Sequence, residues 1–222
     1  MIRLLRRLDA CLLNLLAPDG ASCLSCGRLT HGRRLCAECA EALAHSRLTS
    51  SISMDDLPSM PGNVSIHAVW HHEGVAQRLV LLLKQSGVHS AAEVLADGLA
   101  DVARMLDLPD NTVVSWVPMP EARLHERGTD HARRLAEATA SRLCVSCAPL
   151  LVRVGEQANQ RGLNREARLQ NLRGAFTSCG ELPRTILLID DVLTTGATAK
   201  ACCDCLTNAD RVIVLTATRT RR

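Results

Sequence analysis

Two hydrophobic periods run through the chain, and the places where one gives way to the other predict most of its elements. Ile186-Leu187-Leu188-Ile189 is an unbroken apolar run that ends in Asp190-Asp191. A strand covered on both faces shows no polar alternation, so Thr185 to Ile189 reads as a buried central strand. Val113 to Val117 is a second buried run, stopped by Pro118-Met119-Pro120, and Arg211 to Ala217 is a third. Val64 to His71 alternates well enough for a strand, and Leu150 to Val154 reads as a short one. Between these lie helical spacings over Leu35 to Ala44, Val75 to Leu83, Ala91 to Leu106, His131 to Leu143 and Ala197 to Leu206. Leu4, Leu5, Leu8, Leu12 and Leu15 share one helical face, so Met1 to Leu16 predicts a short amphipathic helix that packs on the domain, closed by Pro18-Asp19-Gly20. Strands alternating with helices imply a parallel sheet flanked by helices, an α/β fold.

The end of the central run carries the most chemistry. Asp190 and Asp191 fall at the carboxyl end of a strand, where open α/β sheets place their ligands. Thr194-Thr195-Gly196-Ala197-Thr198 follows, offering hydroxyls and successive backbone N–H groups at a helix start, which suits a phosphate. Gly196 permits positive φ or close backbone approach. No Gly-Lys-Ser/Thr follows, so this is not a Walker loop. A bare strand and capped helix with surface aspartates is the bland alternative. A sugar phosphate uses both halves, acceptors for its ribose hydroxyls and donors for its phosphate. The apolar run, Asp-Asp, two apolar residues and Thr-Thr-Gly-x-Thr resemble the motif with which phosphoribosyltransferases bind 5-phosphoribosyl-1-pyrophosphate (PRPP).

The N-terminal region carries a different signal. Cys23-x-x-Cys26-Gly27 and Cys36-x-x-Cys39 are separated by nine residues. Each pair presents two thiolates to one tetrahedral ion, and two pairs make a closed structural zinc site with Cys23, Cys26, Cys36 and Cys39 as ligands. A module this small needs its metal to fold. Eleven cysteines in a chain with no clear export signal favour reduced thiols and metal over disulfides. Cys144-x-x-Cys147 lacks a partner pair and reads as buried thiols at a helix end; His67, His71 and His72 lack companion ligands and read as surface histidines.

Composition narrows the function classes. At 222 residues and 47% hydrophobic, the chain can bury one good core with a small appendage. A net charge of +3 does not by itself point to nucleic acid. Only Lys84 and Lys200 are lysine among the 26 basic residues, an arginine excess that suits phosphate and carboxylate or reflects coding bias. Trp70, Trp116 and Phe176 are the only aromatic residues, which argues against a stacked-ring platform for single strands. No stretch approaches a membrane span, and the expectation is a cytoplasmic protein. Ser, Asp, Pro and Gly residues between 46 and 63 mark a linker, giving a zinc module at 1–45 and a larger domain at 64–222. The polar segment Gln157 to Arg173, with Arg161, Arg165, Arg168 and Arg173, is either a solvated helix or loop or a mobile cover over a phosphate.

Taken together, the leucine-rich start, the four-cysteine knuckle and the phosphoribosyltransferase-like domain resemble the competence protein ComF family along nearly the whole chain. Glu73-Gly74 and Lys84 are similar to that family's Tyr-x-Gly…Leu-Lys-Tyr segment, and Val117-Pro118-Met119-Pro120 with Arg127-Gly128 to its Val-Pro-x-Pro…Arg-Gly-Phe-Asn-Gln signature. Arg165, Arg168, Asn171, Arg173, Gly174, Ala175 and Phe176 match its Arg-x-x-Arg-x-x-Asn-x-x-Gly-x-Phe run. Two departures stand out: Thr129-Asp130-His131 replaces Phe-Asn-Gln, and Gln85 replaces an aromatic. The resemblance implies a five-stranded parallel phosphoribosyltransferase-type sheet that binds PRPP with Mg²⁺. Asp190 and Asp191 would contact ribose, Thr194 to Thr198 the 5′-phosphate, and Arg127 and Lys84 the pyrophosphate. It also implies a role in DNA uptake, with single-stranded DNA or DNA-uptake proteins as partners. An active nucleobase phosphoribosyltransferase of salvage metabolism and a non-enzymatic DNA-handling adaptor are the alternatives.

Overall fold

The computed structural model describes residues 21–48, 52, 57–85, 89–154 and 174–221. The expected helix at Met1 to Leu16 and the whole of Gln157 to Arg173, with the signature residues Arg165, Arg168, Asn171 and Arg173, lie outside the described residues.

Among the described residues seven strands and six helices follow in order: α1 (Ala37–His45), β1 (Val64–His71), α2 (Gly74–Leu83), α3 (His89–Arg104), β2 (Val113–Trp116), α4 (Glu121–Arg127), α5 (His131–Leu143), β3 (Ser146–Cys147), β4 (Leu151–Arg153), β5 (Phe176–Ser178), β6 (Thr185–Leu193), α6 (Ala197–Cys203) and β7 (Arg211–Arg219). Five strands form one sheet in the order β1-β7-β6-β2-β3, and every pairing in it is parallel. The expected α/β architecture, a parallel sheet flanked by helices, is what the chain adopts. β4 and β5 pair antiparallel as a separate ribbon.

The core forms on both faces of the sheet, as the unbroken apolar runs require. Leu187, Ile189, Ile213 and Leu215 face one cluster with α2, α3 and α5; Ile186, Leu188, Val212 and Val214 face another with α6 and the β4–β5 ribbon. All eight are fully buried, each worth about 1.5–3 kcal/mol relative to exposure. Helix α3 reaches the sheet through small residues, Ala92, Ala96, Gly98 and Ala103. Gly98 is needed there, because a Cβ would overlap the Trp70 ring.

Chain direction reverses in the middle of the sheet. From β2 the chain moves outward to β3, whereas from β6 it moves the other way to β7. Such a reversal leaves a crevice at the carboxyl ends of the two strands where it happens, here β2 and β6. β6 is also longer than its apolar run predicts. It pairs with β2 only from Ile186 to Ile189 but stays in register with β7 as far as Leu193. Beyond Ile189, which accepts a last bond from the Val117 N–H at 3.1 Å, its β2-facing edge is open to the crevice.

Candidate ribose-phosphate crevice and four-cysteine centre

Asp190 and Asp191 lie on that open extension of β6, and their environments differ. Asp191 is buried at 7% exposure. Lys84 Nζ, from the residue capping α2, lies 2.8 Å from Asp191 Oδ2, and His131 Nε2, from the first residue of α5, lies 3.2 Å from the same oxygen. Burial alone would push this carboxyl up, but the His131 hydrogen bond and the Lys84 charge hold it well below the usual carboxylate range. Asp190 is half-buried, and its Oδ1 accepts the Asp191 N–H at 2.8 Å. Burial and the adjacent Asp191 charge push Asp190 well above the usual range.

Behind the pair, the Thr218 hydroxyl donates to the Asp191 carbonyl at 3.2 Å and pairs with His72 Nδ1 at 2.8 Å. His72 is half-buried, not a surface histidine as its sequence context suggests; burial and then the Lys84 charge push its pKa down. His67 is likewise pushed down by burial.

The loop after β6 turns sharply. Thr194 is exposed, Thr195 and Thr198 half-buried, and Gly196 and Ala197 buried. Gly196 sits at φ 78° as the residue before α6, a left-handed conformation that costs a side chain strain. The Thr195 hydroxyl accepts the Ala197 N–H at 3.4 Å. A second constraint comes from the stretch read as linker: a Cβ on Gly196 would stand 2.9 Å from Leu57 Cδ2 and 3.0 Å from Pro58 Cδ. Leu57 is buried, so this part of the 46–63 stretch packs as core beneath the loop.

Across the crevice, β2 ends at Trp116 and Pro118 to Pro120 lead into α4, whose last residue is Arg127. Gly128 at φ 73° closes α4, its N–H donating to Leu124 O at 2.7 Å. Asp130 then caps α5, accepting the Ala132 and Arg133 N–H groups at 3.1 Å each. Asp is among the residues that cap helices best, so Asp130 fixes this turn. His131, the next residue, brings a nitrogen to Asp191. Arg133 lies over the Trp116 ring at 5.6 Å.

The cysteines come together as their spacing requires. The Sγ atoms of Cys23, Cys26, Cys36 and Cys39 all lie within 4.8 Å of one another. Cys26 and Cys36 are 3.7 Å apart, close to the edge of a tetrahedron with metal–sulfur bonds of about 2.3 Å. Gly27 at φ 75° turns the first pair, with its N–H on the Cys23 carbonyl at 2.9 Å. Burial would raise the Cys23 thiol, yet the N–H groups of Cys26, Cys36 and Ser25 pull it down to about 6; Cys39, half-buried, is pushed up to about 12 by desolvation and then by the Cys36 thiol. Four thiols crowded this closely fit a cation that draws all four into the thiolate form. The centre is tied to the sheet domain by Arg47, 2.7 Å from Asp101 and 5.9 Å over the Trp70 ring, and by a 2.9 Å bond from the Leu48 N–H to the Val69 carbonyl. Cys144, expected to be a buried thiol, is instead exposed at the left-handed cap of α5, while Cys147 is half-buried and pushed up to about 11 by burial.

No protein-family model matches the sequence, and no curated protein matches it either. Among solved structures, the chain is similar to an allosteric regulatory enzyme of purine biosynthesis (20% identity, TM-score 0.40, 58% of this chain and 26% of that one). It is similar to glutamine PRPP amidotransferase from B. subtilis (17%, TM-score 0.37, 58% and 26%). It is also similar to adenine phosphoribosyltransferase from Leishmania donovani (16%, TM-score 0.35, 72% and 73%). The chain spans about a quarter of the length of the first two.

Proposed function

We propose that the protein binds PRPP, with Mg²⁺, in the crevice between β2 and β6, as a phosphoribosyltransferase-like protein of the ComF type. The observation that carries this reading is the juxtaposition at the sheet's reversal point. An acidic pair lies on the stretch of β6 that extends past its pairing with β2, and two residues later comes a turn of threonines around Gly196 at the start of α6. A ribose phosphate meets acceptors at its hydroxyls and donors at its 5′-phosphate there. In this reading Thr194, Thr195, Gly196, Ala197 and Thr198 hold the 5′-phosphate and Asp190 and Asp191 form the acidic side of the ribose site. Lys84 and Arg127 supply positive charge for the pyrophosphate. Loss of pyrophosphate leaves positive charge developing at C1, which a carboxylate-lined site favours.

Mg²⁺ belongs with the ligand in this account. Among the described residues the four cysteines are the only cluster of three or more metal-binding groups, so no carboxylate cage is built for a cation. Mg²⁺ keeps much of its water and is commonly held through substrate phosphates, and when bound it would neutralise charge on the leaving group. The four-cysteine centre is assigned to structural zinc. Cytoplasmic location, expected from the reduced cysteines, and a role in DNA uptake, implied by the sequence resemblance, complete the proposal. Among the described residues no helix is long and apolar enough to cross a membrane.

Thermal unfolding with increasing PRPP and Mg²⁺ tests the binding. A ligand at about 100 times its Kd stabilises by about 2.7 kcal/mol, so the melting temperature should climb with concentration. No change at millimolar PRPP would contradict it. Pyrophosphate release with a panel of purine and pyrimidine bases reports whether transfer accompanies binding. A salt-dependent gel shift with single-stranded DNA tests the DNA partner.

A further inference from the structure

Adjacent aspartates at a ribose site invite the same role for both, yet their contacts divide them. Two nitrogen donors, arriving from α2 and α5, converge on a single oxygen of Asp191, Lys84 Nζ at 2.8 Å and His131 Nε2 at 3.2 Å. The Thr218 hydroxyl fixes the same residue's carbonyl. Asp191 is therefore buried, engaged by its side chain and held by its backbone. Asp190 is more open, and among the described residues its carboxylate accepts one hydrogen bond, from the next N–H. A carboxylate can accept about four, so Asp190 retains capacity for a ligand. Lys84 is the more exposed partner of its pair, with 30% of its side chain accessible against 10% for Asp191. An ammonium carries three donors, so its ion pair with Asp191 leaves it able to meet a ligand as well.

We propose that the pair is divided in labour: Asp190 accepts the ribose hydroxyls, while Asp191 is a positioning residue that holds Lys84 at the crevice for the anionic pyrophosphate. This rests on the ribose-phosphate reading above. Were Asp191 to grip the sugar through the same oxygen, it would have to release Lys84 and the buried His131, and separating a largely buried ion pair is costly. The two carboxyls also differ in proton affinity, Asp191 pushed down by His131 and Lys84 and Asp190 pushed up by burial and the Asp191 charge.

The experiment titrates ribose 5-phosphate, 2-deoxyribose 5-phosphate and inorganic pyrophosphate into the full zinc-loaded chain, as wild type, D190N, D191N, K84M and D191N/K84M. D190N should bind ribose 5-phosphate about tenfold more weakly and lose the preference over the deoxy sugar, with pyrophosphate affinity within about twofold of wild type. D191N and K84M should each weaken pyrophosphate by about tenfold while keeping that preference, and the double variant should be no worse than either. Loss of the hydroxyl preference in D191N with pyrophosphate binding intact would overturn the division. If D191N does not fold, K84M alone decides the pyrophosphate half. A ligand-free readout separates this proposal from the functional reading. The His131 ring resonances, followed by NMR at one fixed pH, should move in D191N and stay in place in D190N; unmoved resonances in D191N overturn the role given to Asp191. Wild type that binds no ribose phosphate would instead overturn the functional reading, and the Asp190 role with it.

Discussion

Gly196→Ala tests the turn on which the phosphate end of the crevice depends. Two costs act on it. At φ 78° a Cβ meets the backbone strain of the left-handed region, roughly 1–2 kcal/mol. The same Cβ would lie 2.9 Å from Leu57 Cδ2 and 3.0 Å from Pro58 Cδ. The leucine methyl can rotate away, but the proline ring cannot, so overpacking adds about 1–3 kcal/mol. The expected loss is about 2–5 kcal/mol, which for a chain of this size lowers the melting temperature by about 4–20 °C. Urea unfolding of zinc-loaded wild type, Gly196→Ala, Leu57→Ala and the double variant measures it. Leu57→Ala alone should destabilise, because Leu57 is buried. In the double variant the removed leucine makes room for the new methyl, so the two costs should fall short of additive by about 1 kcal/mol. A Gly196→Ala loss under about 0.5 kcal/mol, or strict additivity, would refute the packing of Leu57 and Pro58 beneath this turn.

Other outcomes follow from the same geometry. Purified protein should contain about one zinc per chain; Cys23→Ser with unchanged zinc would show the ligand set wrong. The two aspartates should affect stability in opposite directions. Asp191 has a depressed folded pKa, so its contribution is full above about pH 4 and vanishes as the pH falls through that folded value. Asp190 has a raised one, so its contribution is present below about pH 4 and lost as the pH rises. At pH 7, urea unfolding should show Asp191→Asn destabilised by about 3 kcal/mol and Asp190→Asn no less stable than wild type; the reverse order would contradict the electrostatics. Gly98→Ala should cost about 1–3 kcal/mol by displacing the Trp70 ring, a melt that leaves zinc content unchanged.

How much of this was legible in the sequence depends on how local the cause is. β1 and α5 match their predicted bounds, because alternation and 3.6-residue spacing are properties of contiguous residues. The central strand was found from its apolar run but not its length, since Asp190 to Leu193 are held by the register with β7, a partner more than twenty residues away. Helix α4 escaped notice because Glu121 to Arg127 is mostly charged and exposed, leaving no apolar stripe to read. β3 and β5 have two and three residues, too few to show a period. Of the site, the Asp-Asp pair, the threonine turn and the cysteine pairs are sequence-local and could be named in advance. The approach of His131 to Asp191 could not, as the two lie far apart in sequence and meet only once α5 packs beside β6. Leu57 and Pro58 lie in a Ser/Asp/Pro-rich stretch whose composition reads as linker, and their burial beneath Gly196 is a tertiary fact without a local signal.

Calorimetric titration of PRPP with Mg²⁺ into the zinc-loaded chain, alongside an Asp190→Asn/Asp191→Asn variant of confirmed fold, bears most directly on the central claim. Saturable binding at one site in wild type, weakened about tenfold or more in the variant, is the expected result. Equal binding by the two proteins, or no binding by wild type, would contradict it.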